Sequence, residues 1–247
     1  GVPYFDIGAL KAQKRCEPIG KYDIFDLYER PKPGIGYILG GDPAEGLDKG
    51  DNTSVFVINR HTLDVVAEYT GKLAPDVLAL KVKIIGEYFN NAFSGIEVNN
   101  HGLTTLTCLK PIYSYLYYRK IYDEITKRWT PKLGWQTNTK TRFLMLDNLA
   151  KLVRERSVNL RSGEAINELM TFTIVDGKAE AQLGCLDDRV ISLAIAYQMI
   201  NETSIDITVE EKKSKRHSVD WSQRQMAHEA QGCREKASVG NRKVSIG

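Results

Sequence analysis

Apolar and polar positions fall into three successive extended blocks early in the chain. Ile35-Gly36-Tyr37-Ile38-Leu39-Gly40-Gly41 reads as a buried strand ending at Asp42. Pro43, Gly46, Gly50 and Asn52 mark a loop, and Ser54 to Asn59 forms a second strand. After a turn at Arg60-His61-Thr62, Leu63 to Tyr69 forms a third, so the second and third strands make a hairpin. Pro75 opens a helix whose Val77, Leu78, Leu80, Val82, Ile84, Ile85, Tyr88 and Phe89 recur near the 3.6-residue period. Gly95-Ile96-Glu97-Val98 is a short strand, His101 to Leu109 a helix, and Ile112 to Tyr118 strand-like through its β-branched and aromatic residues. Asn138 to Arg156 is an amphipathic helix with Phe143, Leu146, Leu149, Leu152 and Val153 on one face. Glu164 to Met170 makes a short helix, Phe172 to Gln182 a hairpin turning at Asp176-Gly177, and Leu186 to Ile200 a buried helix.

Strands joined first by hairpins and then alternating with helices predict an α/β fold with a mixed sheet flanked by helices. Residues 1–34, with Pro18, Gly20, Pro31, Pro33 and Gly34, read as a lead-in with little regular structure. Residues 35–204 form the predicted folded domain, and 205–247 a polar, charged, flexible tail. The chain starts at Gly1 with neither an initiator Met nor a signal-peptide pattern, and reads as a piece of a longer protein or a processed form. No apolar run approaches the roughly 18–20 residues that span a bilayer, so no membrane partner is expected.

Its 247 residues are enough to bury a substantial core. A net charge of +3 is a weak pointer to an anionic partner. Cys16, Cys108, Cys185 and Cys233 are far apart and never paired as C-x-x-C, which excludes zinc-site spacing and suggests a reducing compartment. A P-loop, a G-x-S-x-G elbow and an H-E-x-x-H helix are all absent, which removes P-loop ATP hydrolysis, that serine-hydrolase class and zincin chemistry.

Acids stand where acids are unexpected. Asp42 ends an apolar strand, Glu97 lies between Ile96 and Val98, and Asp187-Asp188 opens a largely apolar helix. In open α/β sheets, ligands gather at the carboxyl ends of strands. Asp42 and Glu97 would meet there if their strands are neighbours, and a helix across that edge would add Asp187 or Asp188. Clustered carboxylates repel unless a cation neutralises them, and oxygen ligands suit Mg²⁺ or Mn²⁺. Two such ions roughly 3.5–4 Å apart would clamp the oxygens of a displacement at phosphorus. Each acid also has a plain reading: Asp42 as the start of an Asp-Pro turn, and Asp187 or Asp188 as a helix cap. Glu97 is harder to explain so, because Glu is depleted in strands. His101 could orient a water or touch a phosphate, or simply pack; Asn99 and Asn100 could make a turn and cap the next helix.

Residues 118–132 are rich in basic and aromatic side chains. As a projecting hairpin they would set Arg119, Lys120, Lys127 and Arg128 against a phosphate backbone, or else form an ordinary solvated hairpin. Arg154, Arg156 and Arg161 would add to that field or solvate a helix end, and Lys212, Lys213, Lys215 and Arg216 give the tail a basic cluster.

Taken in order, these segments resemble the nuclease domain of viral DNA-packaging terminase large subunits, over about residues 35–200. Gly41-Asp42-Pro43-Ala44-Glu45-Gly46 with Gly50-Asp51-Asn52-Thr53-Ser54 is similar to the first catalytic motif of that family. Ile96-Glu97-Val98-Asn99-Asn100-His101-Gly102 is similar to the second, and Leu186-Asp187-Asp188-Arg189-Val190 to the third. Thr139-Lys140-Thr141-Arg142 resembles a segment placed beside the site, which adds Lys140 and Arg142 to the expected DNA contacts. The resemblance implies a ribonuclease-H-like fold and cleavage of double-stranded DNA with two divalent ions, Mg²⁺ or Mn²⁺. It implies Asp42, Glu97 and either Asp187 or Asp188 as metal ligands and catalytic residues. Helical phase favours Asp188, which shares a face with Ile191 and Ile195. It also implies a packaging ATPase domain preceding residue 1, a portal protein and a small terminase subunit as partners, and work in the host cytoplasm during virus assembly. Junction resolvases and transposases use acidic ligands on the same core, and a non-catalytic nucleic-acid-binding module is the reading from a different class.

Overall fold

In a computed structural model of the chain, which describes residues 1–175 and 177–203, the N-terminal segment departs from the expectation of little regular structure. It carries β1 (Val2–Pro3), α1 (Ile7–Lys11), β2 (Gly20–Tyr22) and β3 (Phe25–Leu27). Phe5, Ala9, Leu10, Phe25 and Leu27 are buried, and Asp6 caps α1 by accepting the Ala9 N–H at 2.8 Å. The elements are too short to show a period between their prolines and glycines. Contacts divide the chain into Gly1–Asn201 and Glu202–Gly247; of the latter only the helical Glu202 and Thr203 are described. The tail at 205–247, with its basic cluster and Cys233, and Asp176 of the predicted turn lie outside the described residues.

The three early strands form as read: β4 (Tyr37–Asp42), β5 (Thr53–Asn59) and β6 (Val65–Gly71) pair as consecutive antiparallel neighbours. Next come α2 (Pro75–Tyr88), β7 (Phe93–Ile96) and α3 (Asn100–Leu109). The connection through α2 returns the chain on the far side of β4, so β7 lies parallel to it. The resulting six-stranded sheet has the order β2-β3-β6-β5-β4-β7.

Both faces of this sheet are buried, and residue parity decides which side chain serves which layer. Ile38, Phe56 and Ile58 join one core, while Leu39, Val55 and Val57 join the other. The second core is closed by α2 and α3, through Leu78, Val82, Ile85, Leu106 and Leu109. The first is closed by α4 (Thr139–Arg154), α5 (Gly163–Thr171) and a last helix, α6, over residues 188–201. Phe143 of α4, grouped by the pattern with the buried stripe, is instead 47% exposed; Met145 joins Leu146, Leu149 and Val153 in the core. Leu186, 47% exposed, precedes α6 rather than opening it.

Residues 112–118 do not make a full strand. Tyr117 N–H donates to Ser94 O and Ser94 N–H to Tyr115 O, so a short piece runs beside β7. The ladder then resumes at Trp135, whose N–H donates to Ile96 O. Between the two pieces rises the hairpin of β8 (Tyr118–Asp123) and β9 (Arg128–Leu133). A small three-stranded sheet joins β1 to β10 (Phe172–Val175) and β11 (Lys178–Ala181), which pair as the predicted hairpin.

The close approach of α6 to β4 requires Gly40. A Cβ there would run into the backbone of Ser192 and Ala196, whereas a Cβ on Gly95 would meet mainly the flexible side chain of Met199. Gly40→Ala is therefore expected to lower unfolding free energy by about 1–3 kcal/mol, the usual range for overpacking. Gly95→Ala should lose clearly less in the same urea titration. Equal losses would show that α6 can slide away from β4.

Candidate functional site

The pairing of β4 with β7 ends at Gly41 opposite Ile96, and Glu97 N–H donates to Gly41 O at 2.9 Å. Asp42 and Glu97 therefore leave the same edge of the sheet side by side. Glu97 sits one residue beyond β7 rather than inside the strand, in an isolated bridge to Trp135. Their carboxyl groups are near enough for the charge of Glu97 to bear on Asp42. Asn99 caps α3 by accepting the Gly102 N–H at 2.6 Å, and its amide donates to Glu97 Oε2 at 3.1 Å and Pro43 O at 2.9 Å. The capping role read from sequence and a second role of orienting Glu97 thus belong to one side chain.

Asp188 opens α6 and is 7% exposed. Both the backbone and the side-chain amide of Asn52 donate to its Oδ2, at 3.2 and 3.1 Å. The loop carrying Asn52 is clamped in turn by Lys72, whose ammonium donates to the carbonyls of Gly50 and Asp51. Asp187 is more open and accepts from Arg142 Nη2 at 3.3 Å. Both partners of that ion pair are about one-third exposed, and such pairs contribute about 0–1 kcal/mol, so Asp187 is not locked.

Asp42, Glu97, Asp187, Asp188, His101 and Arg142 line one cleft of about 370 Å³. The cleft also takes in Glu45, Asp51 and Asn52, which belong to the segments that resemble the first catalytic motif but were given no role of their own. The contact of Asn52 with Asp188 spans 136 residues, so no local pattern shows it. The expected DNA-contacting residues are divided. Arg142 stands in the cleft, while Lys140 is exposed at the start of α4 and does not line it. Lys120, Lys127 and Arg128 are exposed on the hairpin. Arg119 instead turns back, donating to Leu133 O and Gly134 O at 2.7 and 2.9 Å, so its guanidinium pins the hairpin base.

The electrostatics are those of a site short of positive charge. Burial, then the charge and hydrogen bond of Glu97, then the charges of Asp188 and Asp187, push the Asp42 carboxyl well above the ordinary range. Burial also raises Asp188, against the opposing pull of the two Asn52 hydrogen bonds. The donor set is carboxylate and amide oxygen, which fits a hard divalent cation. Among the described residues no group of three or more His, Cys, Asp and Glu is arranged to hold a metal ion as it stands. Cys16, Cys108 and Cys185 are unbonded, and among the described residues no helix is long and apolar enough to cross a membrane.

Solved structures share this architecture. The large terminase nuclease from thermophilic phage G20c superposes with a TM-score of 0.60 at 16% identity, over 80% of this chain and 98% of that one. A form of the same nuclease with bound magnesium gives 0.60 at 16% identity, over 78% and 95%. The large terminase nuclease domain of Thermus phage P74-26 gives 0.57 at 19% identity, over 77% and 93%. No protein-family model and no curated protein matches the chain by sequence. At such identities the likeness establishes the fold, which is the ribonuclease-H-like mixed α/β fold of large-terminase nuclease domains.

The crowding of Asp42 has a measurable consequence without any metal. Its folded-state pKa is raised, so between its unfolded value and the folded one the native state binds more protons than the unfolded state. Stability must fall as pH rises through that window. Asp42→Asn should flatten this slope and raise Tm in chelator at pH 7. A lower Tm for the variant at every pH would mean that the carboxylate is a structural cap rather than a strained ligand.

Proposed function

We propose that the chain is a divalent-metal-dependent endonuclease that cuts double-stranded DNA, as the genome-cleaving part of a viral packaging motor. The observation that carries this reading is the crowding of Asp42 against Glu97 with Asp188 and Asp187 facing them, an arrangement that is unfavourable until a cation enters. The bound magnesium in the G20c nuclease supports the same reading.

Asp42, Glu97 and Asp188 would be the residues that hold the two ions. Asp187, paired with Arg142, is the weaker candidate because it is more exposed. Bound there, Mg²⁺ or Mn²⁺ would supply the positive charge a phosphodiester needs as its phosphorus gains a fifth oxygen. Asn52 and Asn99 fix the Asp188 and Glu97 carboxylates, so little reorganisation is left for the moment of reaction. Arg142 offers a donor to a phosphate oxygen, and His101 stands at the same cleft to hold a water.

Lys120, Lys127 and Arg128, with Lys140, would hold the DNA by its backbone, and contacts of that kind carry no sequence information. Cutting with little sequence preference is therefore proposed. The motor partners proposed are a packaging ATPase domain, a portal protein and a small terminase subunit, acting in the host cytoplasm.

Unrelated plasmids incubated in Mg²⁺ or Mn²⁺ should all be nicked, and chelator should stop it. Asp42→Asn and Glu97→Gln should each lower the rate by at least ~10²-fold, the scale for removing one group that supports transition-state charge. Asp188→Asn should be more damaging than Asp187→Asn. Undiminished nicking by Asp42→Asn would refute the mechanism, and cleavage at one defined sequence would refute the lack of preference.

Neutralising Lys120, Lys127 and Arg128 together should flatten the dependence of log affinity on log salt by about 0.9 per lost phosphate contact. Arg119→Ala should act differently, lowering Tm through loss of the hairpin base. A salt slope unchanged in the triple variant would make the hairpin a solvated appendage with no DNA contact.

A further inference from the structure

Beside the carboxylate cleft lies a second groove, of about 470 Å³, walled by α4 and β11. Its surface is largely apolar, with Phe143 and Leu146 from α4, and its rim carries Asn138, Lys178 and Glu180. Arg142 lines both this groove and the cleft. Its Nη2 lies 3.3 Å from Asp187 Oδ2 on the cleft side and 3.3 Å from Ala179 O in the groove wall. The two depressions therefore share one wall, and that wall is a guanidinium.

Phe143 is more exposed than the apolar residues with which α4 closes the core. Met145, Leu146, Leu149 and Val153 are each at most 1% exposed, whereas Phe143 is 47% exposed and lines the groove. An aromatic face left half-bare beside an arginine suits a flat, apolar group that is joined to an anion.

We propose that this groove binds a nucleobase of the DNA strand being cut, stacked on Phe143, while the phosphate attached to it lies in the carboxylate cleft against Arg142. The proposal rests on the nuclease reading and deepens it. A nucleotide has the same division as the two depressions: a charged phosphate for the cleft and a flat base with a polar edge for the groove. Base stacking on an aromatic ring is tolerant of sequence, because every base has a π-face. The groove thus adds grip without adding sequence preference. A base seated there must leave the duplex stack, so the favoured substrate is duplex DNA already loosened at the cut, by a mismatch or a neighbouring nick.

Photocrosslinking tests this directly. Duplexes carrying 5-iodouracil opposite a mismatch are bound to the full chain bearing Asp42→Asn, which keeps the DNA uncut, then irradiated and mapped by mass spectrometry. The expected crosslink is on the peptide containing Phe143, and it should disappear in Asp42→Asn/Phe143→Ala. In the chain with its acids intact, Phe143→Ala should lower kcat/KM for nicking about tenfold, within the range for one lost base-stacking contact, and Phe143→Trp should restore it. Circular dichroism of the Phe143 variants should match the parent. Crosslinks confined to other peptides, with nicking intact, would overturn the groove assignment and leave the nuclease reading standing. That result is expected if a partner protein fills the groove instead. Failure of the parent chain to nick or crosslink DNA would overturn both.

Discussion

Two carboxylates that repel one another stand together because the backbone gives them no other place. The parallel pairing of β4 with β7 fixes Gly41 opposite Ile96, and the next residue on each strand is an acid. A slip of one residue would turn every side chain of β7 to the opposite face and move Ile96 out of its core. The hydrophobic register therefore guarantees the electrostatic conflict, and the buried area of the two cores sustains it. Gly40 extends the constraint to the third acid: with no side chain on that residue, α6 lies directly on β4, and Asp188 at its start is delivered to the same edge. Asn52 then restrains Asp188 from the opposite side.

Much of this was legible in the sequence. The alternation of Ile38 with Leu39, and of Val55 and Val57 with Phe56 and Ile58, states both that β4 and β5 are strands and that both faces are covered. The acids were conspicuous because each interrupts or ends an apolar run. The remainder depends on contacts distant in sequence. The N-terminal 34 residues looked like a linker because their strands are three residues or shorter, below the length at which a period is visible. Phe143 satisfied the helical period yet faces a groove, because the period gives a direction around the helix and not what stands there. Asn52, read as a loop former, gained its role only when the sheet and α6 brought Asp188 over it.

Arginines divide in the same way between charge and architecture. Sequence counts Arg119 and Arg142 alike, but Arg119 is turned onto two carbonyls at the base of the hairpin, and Arg142 stands between two depressions. Arg161, just before α5, is a third case, bound to Glu29, Asp64 and the Tyr28 carbonyl, where it ties the N-terminal segment to the turn that precedes β6. A basic residue contributes to a phosphate-binding field only where no internal acceptor claims it first, and no count of Lys and Arg reports that.

The hairpin of β8 and β9 leaves the edge strand and returns to it without disturbing the ladder. Gly134 N–H meets Tyr117 O at 2.9 Å, and Trp135 takes up the pairing with Ile96 where Tyr117 left off with Ser94. The excursion is thus a side branch joined at one point, and the segment that supports Glu97 is complete without it. Descent can act on such a branch independently. A lineage could lengthen it, shorten it or exchange its tip, while the edge of the sheet that carries Asp42 and Glu97 is inherited unaltered.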